Sequence, residues 1–175
     1  MGRVFSLRGK VSVADNGVSA NNVIFDYVSP DRTKAWKVTR AYVWPVDWWG
    51  VAIGGPGFLT CVANLATDSA KFNQNEIVDP TENRSFAYAQ QTYNHRDDNV
   101  HFLTPNGVAL GWMDMLIDPD TLVTKELYIN FATATDVDVS NVREWGYMVI
   151  LEEMKVSPAQ SLFQQIKGIA QDITA

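Results

Sequence analysis

Strand-length segments in which apolar and polar residues alternate constrain this chain more than any other feature. In KAWKVTRAYVW (34–44), Trp36, Val38, Tyr42 and Trp44 fall on one face, with Lys37, Thr39 and Ala41 on the other. FLTCVANLAT (58–67) alternates again and gathers Leu59, Cys61, Ala63 and Leu65. LVTKELYINFATAT (122–135) does the same with Leu127, Ile129 and Phe131. A period of two puts each set on one side of a pleated strand.

Shorter strands are expected around Val11 and Val13, in NVIFDYV (22–28), SFAYAQQTY (85–93), VHFL (100–103) and VALGW (108–112). Between them lie turn-rich ADNG, SPDRT, TPNG, IDPDT and DVDVSN; in TPNG, Pro, Asn and Gly stand in the order a tight hairpin turn requires. Pro45 ends its strand because it has no N–H to give a ladder. In EWGYMVILEEMKV (144–156), Tyr147 to Leu151 are apolar on both faces, which predicts a central strand. About eight strands with little helix imply an all-β antiparallel sandwich or barrel. Paired long strands, long loops and a length of 175 residues favour a single jelly roll over an immunoglobulin-like sandwich, and no Cys…Trp…Cys pattern is present. No linker divides the chain, so one domain is expected over 1–175, with 1–20 as an N-terminal arm or first strand.

A C-terminal helix is expected over 157–173. Ser157, Pro158 and Gln160 have the layout of a capping box. Ala159, Leu162, Phe163, Ile166, Ile169 and Ile173 then form one apolar stripe. A helix of this length is marginal alone, so the stripe must pack, either on its own sheet or on a neighbouring subunit.

The formal net charge of −6 argues against a dedicated nucleic-acid binder, which would cluster Lys and Arg over phosphates. The local exception is Arg3, Arg8 and Lys10, which precede the first acid, Asp15, and offer a weak nucleic-acid contact at the N-terminal end. Cys61 stands alone, which excludes an intrachain disulfide and predicts a buried thiol. MGRVFSLRGK lacks the apolar run of a signal peptide, and no window approaches the ~20 apolar residues of a membrane helix. The expectation is a soluble protein made in a reducing compartment. NRS at 83–85 then carries no glycan.

No reaction is spelled out. His95 and His101, with Asp97 and Asp98 between them in NHRDDNVH, match no established zinc spacing and read as a polar loop. A metal enzyme of the cupin type would have to use that segment. Asp118 and Asp120 belong to turn chemistry, since the DxDxDG calcium loop is missing. No GxSxG elbow occurs, GGPG (54–57) lacks the Lys of a phosphate loop, and the adjacent Glu152 and Glu153 point to opposite faces. No enzyme, metal, cofactor or small-molecule ligand is expected.

WPVDWWGVAIGGPG (44–57) holds three tryptophans in a long inter-strand loop. Trp44 follows the alternation of Trp36 and Tyr42, which predicts a core position. Trp48 and Trp49 are adjacent, so they point apart rather than forming one flat surface, and the apolar segment after them suits a subunit contact. The competing reading is a carbohydrate-binding β-sandwich that uses Trp44, Trp48 and Trp49 for stacking.

The second half of the chain, through IDPDTLVTKELYINFATAT, WGYMVILEEMKV and SPAQSLFQQIKGIAQDI, resembles the single jelly-roll capsid proteins of small icosahedral, circular single-stranded DNA viruses. The resemblance implies a virion shell subunit that assembles with copies of itself. Trp48, Trp49, Leu162, Phe163, Ile166 and Ile169 are then candidate interface residues, and Arg3, Arg8 and Lys10 the candidate genome contact. The chain departs from that pattern in lacking a long arginine-rich arm, which puts direct genome packaging in doubt.

Overall fold

The computed structural model describes residues 2–27, 33–46, 57–69, 82, 84–95, 102–103, 112–135, 141–163 and 166. The strands are β1 (Val4–Ala14), β2 (Val18–Asp26), β3 (Lys34–Pro45), β4 (Gly57–Ala66), β5 (Ser85–His95), β6 (Phe102–Leu103), β7 (Met113–Asp114), β8 (Leu116–Ile117), β9 (Glu126–Thr135) and β10 (Val142–Lys155). They form two antiparallel sheets, one ordered β1-β10-β3-β7 and the other β2-β9-β4-β5-β6, with β8 also on β5. Consecutive strands from β1 to β4 go to alternating positions in the two sheets, and the last strand returns beside the first. This interleaving is the jelly roll expected from the sequence. β6 and β8 are short additions to its eight strands.

The inward faces meet in one core. Leu59, Cys61, Ala63 and Leu65 of β4 lie beside Leu127, Ile129 and Phe131 of β9 and meet Val149 and Leu151 of β10 in the other sheet, all within one buried cluster. These are the residues that alternation gathered. At one end Trp36 is ringed by Phe5, Phe25 and Tyr27, each set nearly perpendicular to it at 4.8–6.0 Å. Edge-to-face packing of this kind closes the mouth of the sandwich with apolar surface.

The turn between β1 and β2 carries the chain from one sheet to the other. Asn16 adopts a φ of 54°, a left-handed conformation that asparagine tolerates, and its Oδ1 accepts the N–H of Thr135 at 2.7 Å. Beside it Arg143, almost fully buried, grips Asp15 through two bonds of 2.6 and 2.9 Å. Asp118 makes the expected turn: its carboxylate accepts the N–H of Asp120 at 3.0 Å and the hydroxyl of Thr121 at 2.9 Å.

Two expectations need correction. The first strand begins at Val4, not near Val11, so Arg8 and Lys10 are part of β1 and Arg3 immediately precedes it. More importantly, β3 changes phase. Its register with β10 slips between Ile150 and Leu151, where Thr39 is extra. Such a bulge reverses which side chains face inward. Trp36 and Val38 point into the core before it; Ala41 and Val43 do so after it, while Tyr42 and Trp44 are only partly buried on the outside. The sequence marks the slip, since Thr39 and Arg40 are polar in succession and Ala41 to Trp44 are then all apolar. The TPNG hairpin and NHRDDNVH beyond His95 lie outside the described residues.

Candidate functional site

The helix α1 is described over 158–163 and at 166. Its capping box forms as the sequence requires: Gln160 N–H donates to Ser157 Oγ at 3.2 Å, and Ser157 N–H donates to Gln160 Oε1 at 3.0 Å. It follows β10 at the end of the first sheet, where Val156 N–H bonds the carbonyl of Thr33 at 2.8 Å. Leu162, Phe163 and Ile166 remain 53%, 67% and 51% exposed. Of the two expected ways to cover the stripe, docking on its own sheet is therefore not made by these three residues. Ile169, Trp48 and Trp49 lie outside the described residues.

Arg8 and Lys10 lie in β1 of the first sheet, and Arg3 stands just before it. Arg3 lies 4.0 Å from Glu153, which also takes Lys34 at 2.9 Å, and Lys10 pairs with Glu144 at 2.6 Å. Arg8 is exposed and makes no ion pair among the described residues.

A surface missed by sequence reading sits on the outside of this sheet. Register places Lys10, Gly146 and Trp44 in one row, Arg8, Met148, Tyr42 and Asp114 in the next, and Ser6, Ile150 and Arg40 in a third. Trp112 stacks on Trp44 with ring centres 5.0 Å apart and planes 19° from parallel, and Tyr42 meets it at 6.2 Å, tilted by 63°. Trp112 stays 50% exposed. Gly146 makes room for this pair: a Cβ there would stand 2.6 Å from the Trp44 ring. Trp44 was expected in the core. The signal that would have revealed it is the lone Gly146 in an otherwise bulky strand, since such a glycine marks close approach by a neighbouring group.

The other sheet differs in chemistry. β4 and β5 contain no Asp, Glu, Lys or Arg, and β9 has only Glu126. On its outer side Asn130 Nδ2 donates to Asn64 Oδ1 at 2.7 Å, Asn64 Nδ2 donates to Ser85 Oγ at 3.2 Å, and the Asn21 N–H donates to Asn130 Oδ1. These amides satisfy one another in a buried chain. Burial and a hydrogen bond to Glu126 push the Tyr128 phenol up to about 12, and that same hydrogen bond lowers the Glu126 carboxyl. Burial raises the Cys61 thiol well above its ordinary value, which suppresses the thiolate needed for nucleophilic chemistry.

Among the described residues no group of His, Cys, Asp and Glu is placed to hold a metal ion, and no helix is long and apolar enough to cross a membrane. The described geometry thus offers two surfaces, an apolar helix stripe and an aromatic, cationic sheet face, on a jelly-roll scaffold.

No family model and no curated relative matches the sequence. Among solved structures, the chain is similar to that of Cocksfoot mottle virus, with 10% identity and a TM-score of 0.47, over 92% of this chain and 100% of that one. It is similar to Turnip Yellow Mosaic Virus at 7% identity and a TM-score of 0.40, covering 90% and 96% of the two chains. For the capsid of cyanophage Pam1 the values are 11% and 0.38, covering 86% and 85%. All three scores lie below 0.5, and the jelly roll is defined here by its strand order alone.

Proposed function

We propose that this chain is a structural protein, a shell subunit that assembles with copies of itself into a virion. The observation that carries the reading is the capped α1, whose Leu162, Phe163 and Ile166 stand in solvent beside a closed, fully formed core. Three large apolar side chains on adjacent turns form a patch that a monomer gains nothing by exposing. A helix inserted into a different surface of the next copy is a heterologous contact, and repeated contacts of that type close into rings or shells when the rotation allows. Trp48, Trp49 and Ile169 belong to the same proposed interface. The resemblance of the second half of the sequence to capsid proteins of small circular single-stranded DNA viruses supports the virion setting and is the sole support for that virus group.

The test is electron microscopy and sedimentation of the purified protein beside the double variant L162D/F163D. The wild type should form large symmetric particles. The variant should stay small with an unchanged thermal transition, because the altered side chains are already exposed. Wild-type protein that remains monomeric at high concentration across salt and pH overturns the proposal.

A further inference from the structure

We infer that the outer face of the β1-β10-β3-β7 sheet binds single-stranded nucleic acid, with Trp112 as the base-stacking ring and Arg8 and Arg40 as the phosphate contacts. The inference stands apart from the shell reading, because it needs no assembly. It also shifts the expected nucleic-acid contact from an N-terminal end to a surface built by four strands.

Three features point to a prepared surface. The Thr39 bulge turns Tyr42 and Trp44 outward, onto the side that Arg8 and Arg40 share. Bulges re-aim side chains in this way, and here the re-aimed residues are aromatic. Gly146 then lets the Trp44 indole lie against β10, and Trp112 stacks on it with half its own surface open. A ring already held flat loses little freedom when a base stacks on it.

The charges identify the ligand. Arg8 and Arg40 are exposed, and neither makes an ion pair among the described residues. They lie two strands and one row apart, about 12 Å given the spacing of neighbouring strands and the rise per residue, with Met148 and Ile150 on the strand between them. Lys10 is held by Glu144 at the border, and Asp114 is the acid beside Tyr42. Unpaired guanidinium groups favour phosphate over a neutral sugar. Open aromatic faces favour unpaired bases over a duplex, whose bases are already stacked. The other sheet offers no comparable surface, since its long strands are nearly uncharged.

The experiment is fluorescence anisotropy of a labelled thymidine oligonucleotide of about 20 residues, titrated at several salt concentrations, with a neutral oligosaccharide series run in parallel by intrinsic fluorescence. Wild type should bind the oligonucleotide. Trp112→Ala should weaken binding roughly tenfold, and Trp112→Phe should restore most of it. R8A/R40A should lower the slope of log affinity against log salt by about 1.4, the loss of two phosphate contacts on a single strand. Lys125→Ala, a cation just before β9 of the other sheet, should change nothing. All variants should keep the wild-type thermal transition. No oligonucleotide binding, binding indifferent to W112A and R8A/R40A, or a response to sugars alone each overturns the inference. Micrographs of the same variants report separately on shell formation.

Discussion

Arg143 is the residue whose loss should be felt most. It is almost completely buried and holds both oxygens of Asp15, whose side chain is itself sealed from solvent. The sequence contains both residues without marking them as partners, because they are 128 positions apart. Replacing one member of a buried pair strands the other charge. Arg143→Met should therefore cost about 3–5 kcal/mol in urea denaturation, and adding Asp15→Leu should recover part of that loss. A single variant with wild-type stability would show that water already reaches the pair. Gly146 illustrates the opposite dependence, since what matters there is the absence of any side chain beneath Trp44.

At the scale of the element, β3 is where local pattern and tertiary structure part. The even-numbered apolar positions from Trp36 to Trp44 are broken at Arg40, and beside that break Thr39 is inserted into the ladder, so the second half turns over. Deleting Thr39 should force either Trp36 and Val38 or Ala41 and Val43 out of the core. The cost should be about 4 kcal/mol or more, whereas Thr39→Ala should stay below about 1 kcal/mol. Equal, small losses in both variants, measured by denaturation, would mean the strand can shift its register freely. The other long strands were legible, β4 and β9 by their alternation and β10 by its continuous apolar run, and they match the expected segments to within a few residues. β7 and β8 escaped notice because two residues carry no period. The capping box could be read because its bonds are local, between residues three apart. The aromatic face could not, since stacking of Trp44 on Trp112 is settled by a bulge and a distant glycine.

The whole molecule is organised by long-range pairing. Val4 lies opposite Glu152, Ala14 opposite Val142, and Val18 opposite Ala132. Every such pair closes a large loop before any contact rewards it, and sheets of this kind fold slowly. Refolding, followed by stopped-flow fluorescence, should take milliseconds to seconds; completion within about 0.1 ms would contradict a rate set by topology. The jelly roll was accessible from the sequence as a count of strands and turns. The division of chemistry between a sheet with few charges and one bearing arginines and aromatic rings was not, because it depends on which strands become neighbours.

That β1 pairs with β10 has a consequence for how the protein is made. Synthesis runs from the N-terminus, so the first strand waits without its partner until nearly the whole chain exists. The exposed apolar residues Leu162, Phe163 and Ile166 come after β10 in the chain. A nascent chain thus receives the strand that pairs with its first before it receives the helix proposed to meet a neighbour.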